Sequence, residues 1–208
     1  MLTQDETLKT VAPSPSRPGS EMWAAADGTV ITIRPITAAD LALEQEFVCG
    51  LSARTGYQRL MSARRLSLEE LRRFTDVDGE SELALVATTS IRGRERQIGV
   101  VRYVKESASG DAEMAVVLSD DWQGRGLGTR LLLSLIGAAN RHGVRRLVGM
   151  TLSDNSGMLA LARKVGFELA TDPRSATITN LALDLAAWPP AAGAGRGGWL
   201  LQQLQARP

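Results

Sequence analysis

The residues best able to do chemistry lie in one stretch, Val116-Val117-Leu118-Ser119-Asp120-Asp121-Trp122-Gln123-Gly124-Arg125-Gly126-Leu127-Gly128-Thr129, where an apolar run gives way to alternate glycines and then to a helical pattern. A strand that ends in such a turn and opens a helix aims several unpaired N–H groups at one spot, with the positive end of the helix dipole behind them. That arrangement cradles a phosphate. A dinucleotide fingerprint would need glycine where Thr129 stands and an acidic residue about 20 positions later, where residues 146–150 read Arg, Leu, Val, Gly and Met. A nucleotide-triphosphate loop would need Lys and then Ser or Thr after its last glycine, and here Thr129 follows Gly128 with no Lys between.

The segment resembles the acyl-CoA motif of the GCN5-related N-acetyltransferases, Gln or Arg followed by x-x-Gly-x-Gly or Ala, through Gln123, Gly126 and Gly128. The family's second signature, an Asn-led helix ending in Lys-x-Gly-Phe, is matched by Asn155, Leu161, Lys164, Gly166 and Phe167. Upstream, the run from Leu51 to Asp76-Val77-Asp78 is similar to the acetyltransferase domains of bacterial protein-lysine acetyltransferases. This resemblance implies an α/β (α+β) domain of the GNAT fold, with a twisted, mostly antiparallel sheet splayed after Leu118 and helices on both faces. It also implies direct acetyl transfer from acetyl-CoA, a co-substrate, to a primary amine, without a metal.

By the same resemblance, backbone groups of Val116, Val117 and Leu118 would bond the pantetheine arm, and the N–H of Val117 or Leu118 would hold the thioester oxygen. The N–H groups of Gly124, Arg125, Gly126, Leu127, Gly128 and Thr129 would take the pyrophosphate, with the Arg125 side chain adding charge. Asn155 would touch the pantetheine, although asparagine at that place is equally a good helix N-cap. Asp120 and Asp121 would repel a phosphate if they pointed inward, so they are expected in solvent or supporting the helix from outside.

A lysine-like amine with a pKa near 10.4 is neutral in only about one molecule in 2,500 at pH 7, so a base must take its proton. Glu113 shares a face with Val117 in an alternating strand, and the resemblance makes it that base; the plainer reading is an exposed strand-edge glutamate. Many relatives carry a Tyr that protonates the departing thiolate, and Ala162 stands in its place. The acid would then be Tyr103 or water, or the thiolate would leave unassisted, or the chain would be a non-catalytic acyl-CoA sensor. The acidic run Asp76, Asp78, Glu80 and Glu82 reads either as a lure for a cationic amine or as a solvated loop. His142 is expected to meet the last carbonyls of its helix.

These groups need a scaffold, and the patterning supplies one over residues 28–187, between a Pro/Ser/Thr/Gly-rich leader (1–27) and a Pro/Gly/Ala-rich tail (188–208). Strands are predicted at Thr29–Arg34, Glu82–Thr89, Gln97–Lys105, Ala112–Leu118, Arg145–Leu152, Phe167–Ala170 and Ala176–Leu185, with a polar turn over Arg92–Arg96. Thr37 caps a helix running to about Leu51. Ser67 with Glu70 forms a capping box for a second. Leu127, Leu131, Leu135 and Ala139 recur every four residues in a helix over Gly126–His142, and a last helix spans Asn155–Val165.

A hydrophobic fraction of 44% with 23% charged residues is that of a globular chain, and the formal charge of +1 is spread without a basic stripe, which argues against a nucleic-acid groove. No apolar run approaches the ~20 residues of a membrane span. The single cysteine, Cys49, forms no internal disulfide and reads as a core thiol, in keeping with a cytoplasmic location. Expected partners are acetyl-CoA and an amine acceptor, a protein lysine or a small molecule; nucleic acid and membrane are not expected, and a homodimer is left open.

Overall fold

The computed structural model describes residues 19–107 and 109–188. Eight strands, β1 (Glu21–Ala24), β2 (Val30–Pro35), β3 (Glu82–Ile91), β4 (Arg94–Lys105), β5 (Asp111–Leu118), β6 (Arg146–Leu152), β7 (Glu168–Asp172) and β8 (Ser175–Asp184), form one sheet in the order β1-β2-β3-β4-β5-β6-β8-β7. Every neighbouring pair is antiparallel except β5 and β6. The five α-helices are α1 (Leu41–Gly50), α2 (Ala53–Leu60), α3 (Leu68–Thr75), α4 (Leu127–Arg141) and α5 (Ser156–Val165).

Strand alternation divides the core between the two sheet faces. One face, with Ile31, Ile33, Leu85, Val101, Met114, Leu147 and Leu181, packs on α4 and α5; the other, with Ala84, Val86, Val100 and Val117, packs on Ile36 and on Phe47 of α1. Helix α4 is buried more widely than a four-residue stripe requires. Leu131, Leu132, Leu133, Leu135 and Ile136 are all buried, because α5 and the β1 edge flank the helix as well as the sheet beneath it.

The turn between β3 and β4 is tighter than the polar pattern suggests. Ile91 pairs with Arg94, so only Arg92 (φ 52°) and Gly93 (φ 74°) make the reversal, both in the left-handed conformation that a two-residue hairpin demands. Thr37 caps a single 3-10 turn, Ala38–Asp40, before α1 begins. Cys49 is exposed on α1, a correction to its reading as a core thiol.

Strand β1 falls inside the segment assigned to a leader, so that boundary moves towards the N-terminus. Its four residues have no periodicity to read; what holds them is tertiary, with Arg130 of α4 donating to Glu21 at 2.5 Å and Trp23 packing into the core. Residues 1–18 and 189–208, which hold the rest of the leader and nearly all of the tail, lie outside the described residues.

The sheet's one irregularity matters most. β5 pairs with β4 along its length to Leu118 opposite Gly99, but with β6 only at Asp111–Arg146, Ala112–Leu147 and Glu113–Val148. The strands therefore part after Glu113, earlier than the expected opening after Leu118. Gly149 stands in the crotch, where an added Cβ would lie 3.1 Å from the Met114 carbonyl oxygen. At the other end of the opening Gly99 lets Leu118 fold over it, since a Cβ there would fall 2.6 Å from a Leu118 methyl and 3.1 Å from Leu131.

Overpacking of this kind costs about 1–3 kcal/mol, so Gly99→Val is expected to lower the chemical-denaturation midpoint correspondingly. An unchanged midpoint would mean that Leu118 moves aside freely.

Candidate functional site

Beyond Glu113 the β6-facing edge of β5 has no strand beside it, so every second residue offers backbone N–H and C=O groups to the gap. The gap is a cavity of about 700 Å³. Its walls are β5 from Glu113 to Leu118, the turn and first residues of α4, the exposed side of α5, and the C-terminal half of α2.

The glycine turn closes one end. Gly124 (φ 73°) and Gly126 (φ 87°) both take left-handed conformations, which bend the chain from a 3-10 turn at Asp120–Trp122 into α4. The first intrahelical bond runs from Arg130 N–H to the Gly126 carbonyl, so the N–H groups before it have no acceptor in the helix. Gly128 serves a different end: a Cβ there would meet Leu161 of α5 at 2.9 Å, so its absence lets the two helices close on the cavity floor. The chemistry of this donor set suits a pyrophosphate, because no carboxylate lines the cavity at the turn.

Of the residues singled out from sequence, Glu113, Val116, Val117, Leu118, Gln123, Gly124, Gly126, Gly128, Thr129 and Asn155 line this one cavity. Two do not. The Arg125 side chain turns away to Asp27 at 3.2 Å and lies over the Trp122 ring, so the charge expected on the phosphate is engaged elsewhere. Leu127 is wholly buried in the core, leaving only its backbone to the turn. Asn155 caps α5, its Oδ1 accepting from Met158 N–H at 3.1 Å, while the same residue borders the cavity.

Asp120 has a structural task that spacing alone does not suggest. The Ser52 N–H and hydroxyl and the Thr55 hydroxyl all donate to its carboxylate, at 3.1, 2.7 and 2.7 Å. Burial pushes this carboxyl upward, but the bonds from Ser52 and Thr55 outweigh it and hold the group below its ordinary range. Gln123 reaches the same place, its amide donating to Thr55 Oγ1 at 3.3 Å and to the Leu118 carbonyl at 3.4 Å. The start of α2 is thus tied to the end of β5.

Helix α2 is what sequence reasoning missed. Thr55, Gln58, Arg59, Leu60 and Met61 line the cavity, yet the helix is eight residues long, has Gly56 in its middle and is mostly polar. Its one legible signal is Ser52, an N-cap whose hydroxyl accepts from Thr55 N–H at 3.2 Å. Arg59 and Glu113 face the same cavity. Burial lowers the Arg59 pKa, opposed by the carboxylates of Glu44 and Glu113. Glu44 itself is buried on α1, and burial raises its pKa despite a hydrogen bond from the Gln97 amide.

The remaining candidates leave the site. Tyr103 is fully buried, its hydroxyl 2.7 Å from His142 Nδ1, and burial pushes its pKa up to about 12. This corrects both expectations, since His142 meets that phenol and Tyr103 does not reach the cavity. Ala162 packs in the core between α5 and the sheet. Asp78 accepts from the N–H groups of Glu80, Ser81 and Glu82, so the acidic run is a capped surface turn.

Comparison with known proteins points one way. The acetyltransferase (GNAT) domain family matches residues 31–168. An acetyltransferase of Pseudomonas aeruginosa is 33% identical over 160 residues, which are 76% of this chain and 86% of that protein. Acetyltransferase Pat of Mycolicibacterium smegmatis is 31% identical over 135 residues, 64% of this chain; the matched region is 40% of Pat's length. Among solved structures, the GNAT domain of S. lividans PAT superposes with a TM-score of 0.72 at 27% identity, covering 80% of this chain and 97% of that domain.

Hydrogen bonds to a charged group are worth enough to change local opening by about tenfold or more, so Asp120→Ala should speed amide exchange across residues 52–60 by that factor. Exchange in the middle of α4 should stay as it was. Equal exchange in α2 with and without the carboxylate would show that packing alone holds the helix.

Proposed function

The chain belongs to the GNAT family of acetyltransferases, and from that premise we propose that it moves the acetyl group of acetyl-CoA directly onto a primary amine, with Glu113 taking the amine's proton. The observation that carries the reading is the position of Glu113, at the far end of the free β5 edge from the glycine turn. Glu113 and Leu118 are five strand steps apart, about 16 Å at strand rise, a span suited to an extended arm between an anchored pyrophosphate and the reacting carbonyl.

In this reading acetyl-CoA supplies an activated thioester, and the protein supplies place and charge. The N–H groups from Gly124 to Thr129 bind the pyrophosphate, and Gln123 and Asn155 border the arm. The Val117 or Leu118 N–H meets the negative charge that develops on the carbonyl oxygen, in a site where it needs no reorganisation to do so. Glu113, reached directly or through water, removes the proton that would otherwise leave nearly all of the amine unreactive at neutral pH. No described cavity side chain replaces the missing Tyr: the titratable groups on the wall are Arg59, Glu113 and Lys164. Water is then the proton source for the thiolate, a far weaker base than the amine.

A protein lysine is the acceptor that the upstream resemblance favours. A small amine is the second reading, favoured by the unpaired Arg59 beside Glu113. Cytoplasmic location belongs to the same proposal.

Release of CoA thiol from acetyl-CoA, followed with lysine peptides and small amines, tests the assignment. Glu113→Gln is expected to lower kcat by about 10²–10⁴, the usual worth of a positioned base, while the acetyl-CoA KM changes little. An undiminished kcat would remove Glu113 from the mechanism; acetyl-CoA binding without release by any acceptor would favour a sensor.

A further inference from the structure

Among the described residues, the arginines set into the fold mostly have an acceptor. Arg34 pairs with Asp40 at 2.8 Å and Arg130 with Glu21 at 2.5 Å, while Arg102 donates to the Phe74 carbonyl and lies over the Phe74 ring. Arg59 differs. It is half-buried and lines the large cavity, yet its guanidinium donates to no described residue and pairs with no described carboxylate. Glu44 and Glu113 act on it from a distance only. A guanidinium carries five N–H donors in a planar fork, and burial without acceptors is costly, so this group is built to receive one.

Its place in the fold says where the acceptor would lie. The start of α2 is bonded to Asp120, just past the end of β5, and the helix carries Arg59 back to the Glu113 end of the same strand. Met61, in the left-handed conformation (φ 50°), ends the helix there. Lys164, the other cation on the wall, is exposed in the last turn of α5, where water screens it.

We propose that Arg59 is the carboxylate-binding group of the acceptor subsite, so that the amine acetylated here carries a carboxylate close to its reacting nitrogen. The inference rests on the transfer reading with Glu113 as base. Arg59 on α2 and Glu113 on β5 are opposite charges lining one cavity, complementary to a zwitterion whose ammonium faces Glu113 and whose carboxylate faces Arg59. A simple cationic amine would meet Arg59 as a like charge. The guanidinium fork matches the two oxygens of a carboxylate, which an ammonium in its place would not do. The carboxylate can come from a free amino acid or from an acidic side chain beside a lysine.

The test compares kcat/KM for matched acceptors: L-leucine, L-glutamate and L-lysine against their α-amides, and a lysine peptide with flanking Glu against the same peptide with flanking Gln. In the wild-type protein at least one acid is expected to exceed its amide by about tenfold or more, the worth of one charge-assisted pair. Arg59→Gln should abolish that ratio, and Arg59→Lys should keep part of it. A preference in the amino-acid arm identifies a free carboxylate, and one in the peptide arm an acidic neighbour. Acids no better than amides in the wild-type protein, or a preference that survives Arg59→Gln, would overturn the proposal. If no acceptor releases CoA, the transfer reading has failed, and calorimetric titration of the same pairs into CoA-loaded protein decides the subsite alone. Tighter binding of the acid, lost in Arg59→Gln, sustains it, and equal binding of acid and amide rejects it.

Discussion

A parallel pair of strands stays hydrogen-bonded only as far as both backbones can follow one another, and β5 and β6 manage three residue pairs. Past Glu113, β6 continues with β8 while β5 continues with β4, so each keeps one partner and the gap between them widens. Exposed strand edges are ordinarily covered or paired, because their N–H and C=O groups seek partners. Here the edge is left open inside the domain, with walls built around it. The cavity, the alignment of the glycine turn with Glu113 and the need for α2 as an outer wall all follow from that parting.

Several small residues are explained by the same opening. Gly149 permits the close approach at the crotch, Gly99 makes room for Leu118 at the far end, and Gly128 lets α4 and α5 meet below the turn. None of them is required by a positive φ. Gly124 and Gly126 are, and they bend the chain so that the start of α4 points its free N–H groups into the gap. Glycine thus serves two physical ends within one motif, backbone reversal and close approach, and only the first concerns conformational freedom.

Charge is arranged with similar economy. Asp120, next to a phosphate cradle, would be harmful if it faced inward, yet its oxygens are taken up by Ser52 and Thr55, which converts a liability into the tether of α2. The tether places a half-buried arginine opposite the proposed base. Arg125 is drawn off to Asp27 and Trp122 on the outer surface. The half-buried cation of this site therefore comes from a helix distant in sequence rather than from the glycine turn itself.

The sequence by itself determined the elements whose signals are local. Alternation marks the long strands, the Ser67–Glu70 capping box marks α3, Thr37 marks the start of the helical segment that holds α1, and the two glycine- and asparagine-led signatures mark the cradle and α5. It also placed Glu113 on the face of Val117, since strand periodicity carries a side chain's direction over a few residues. Tertiary structure alone decided the rest, because those features depend on pairs far apart in the chain. Strand β1 exists through Glu21–Arg130, α2 is held through Ser52–Asp120, and Tyr103 leaves the chemistry for His142 across 39 residues of chain. The strand opening begins at Glu113 rather than Leu118 because hydrogen-bonded partnership with β6, which no pattern within β5 encodes, ends there.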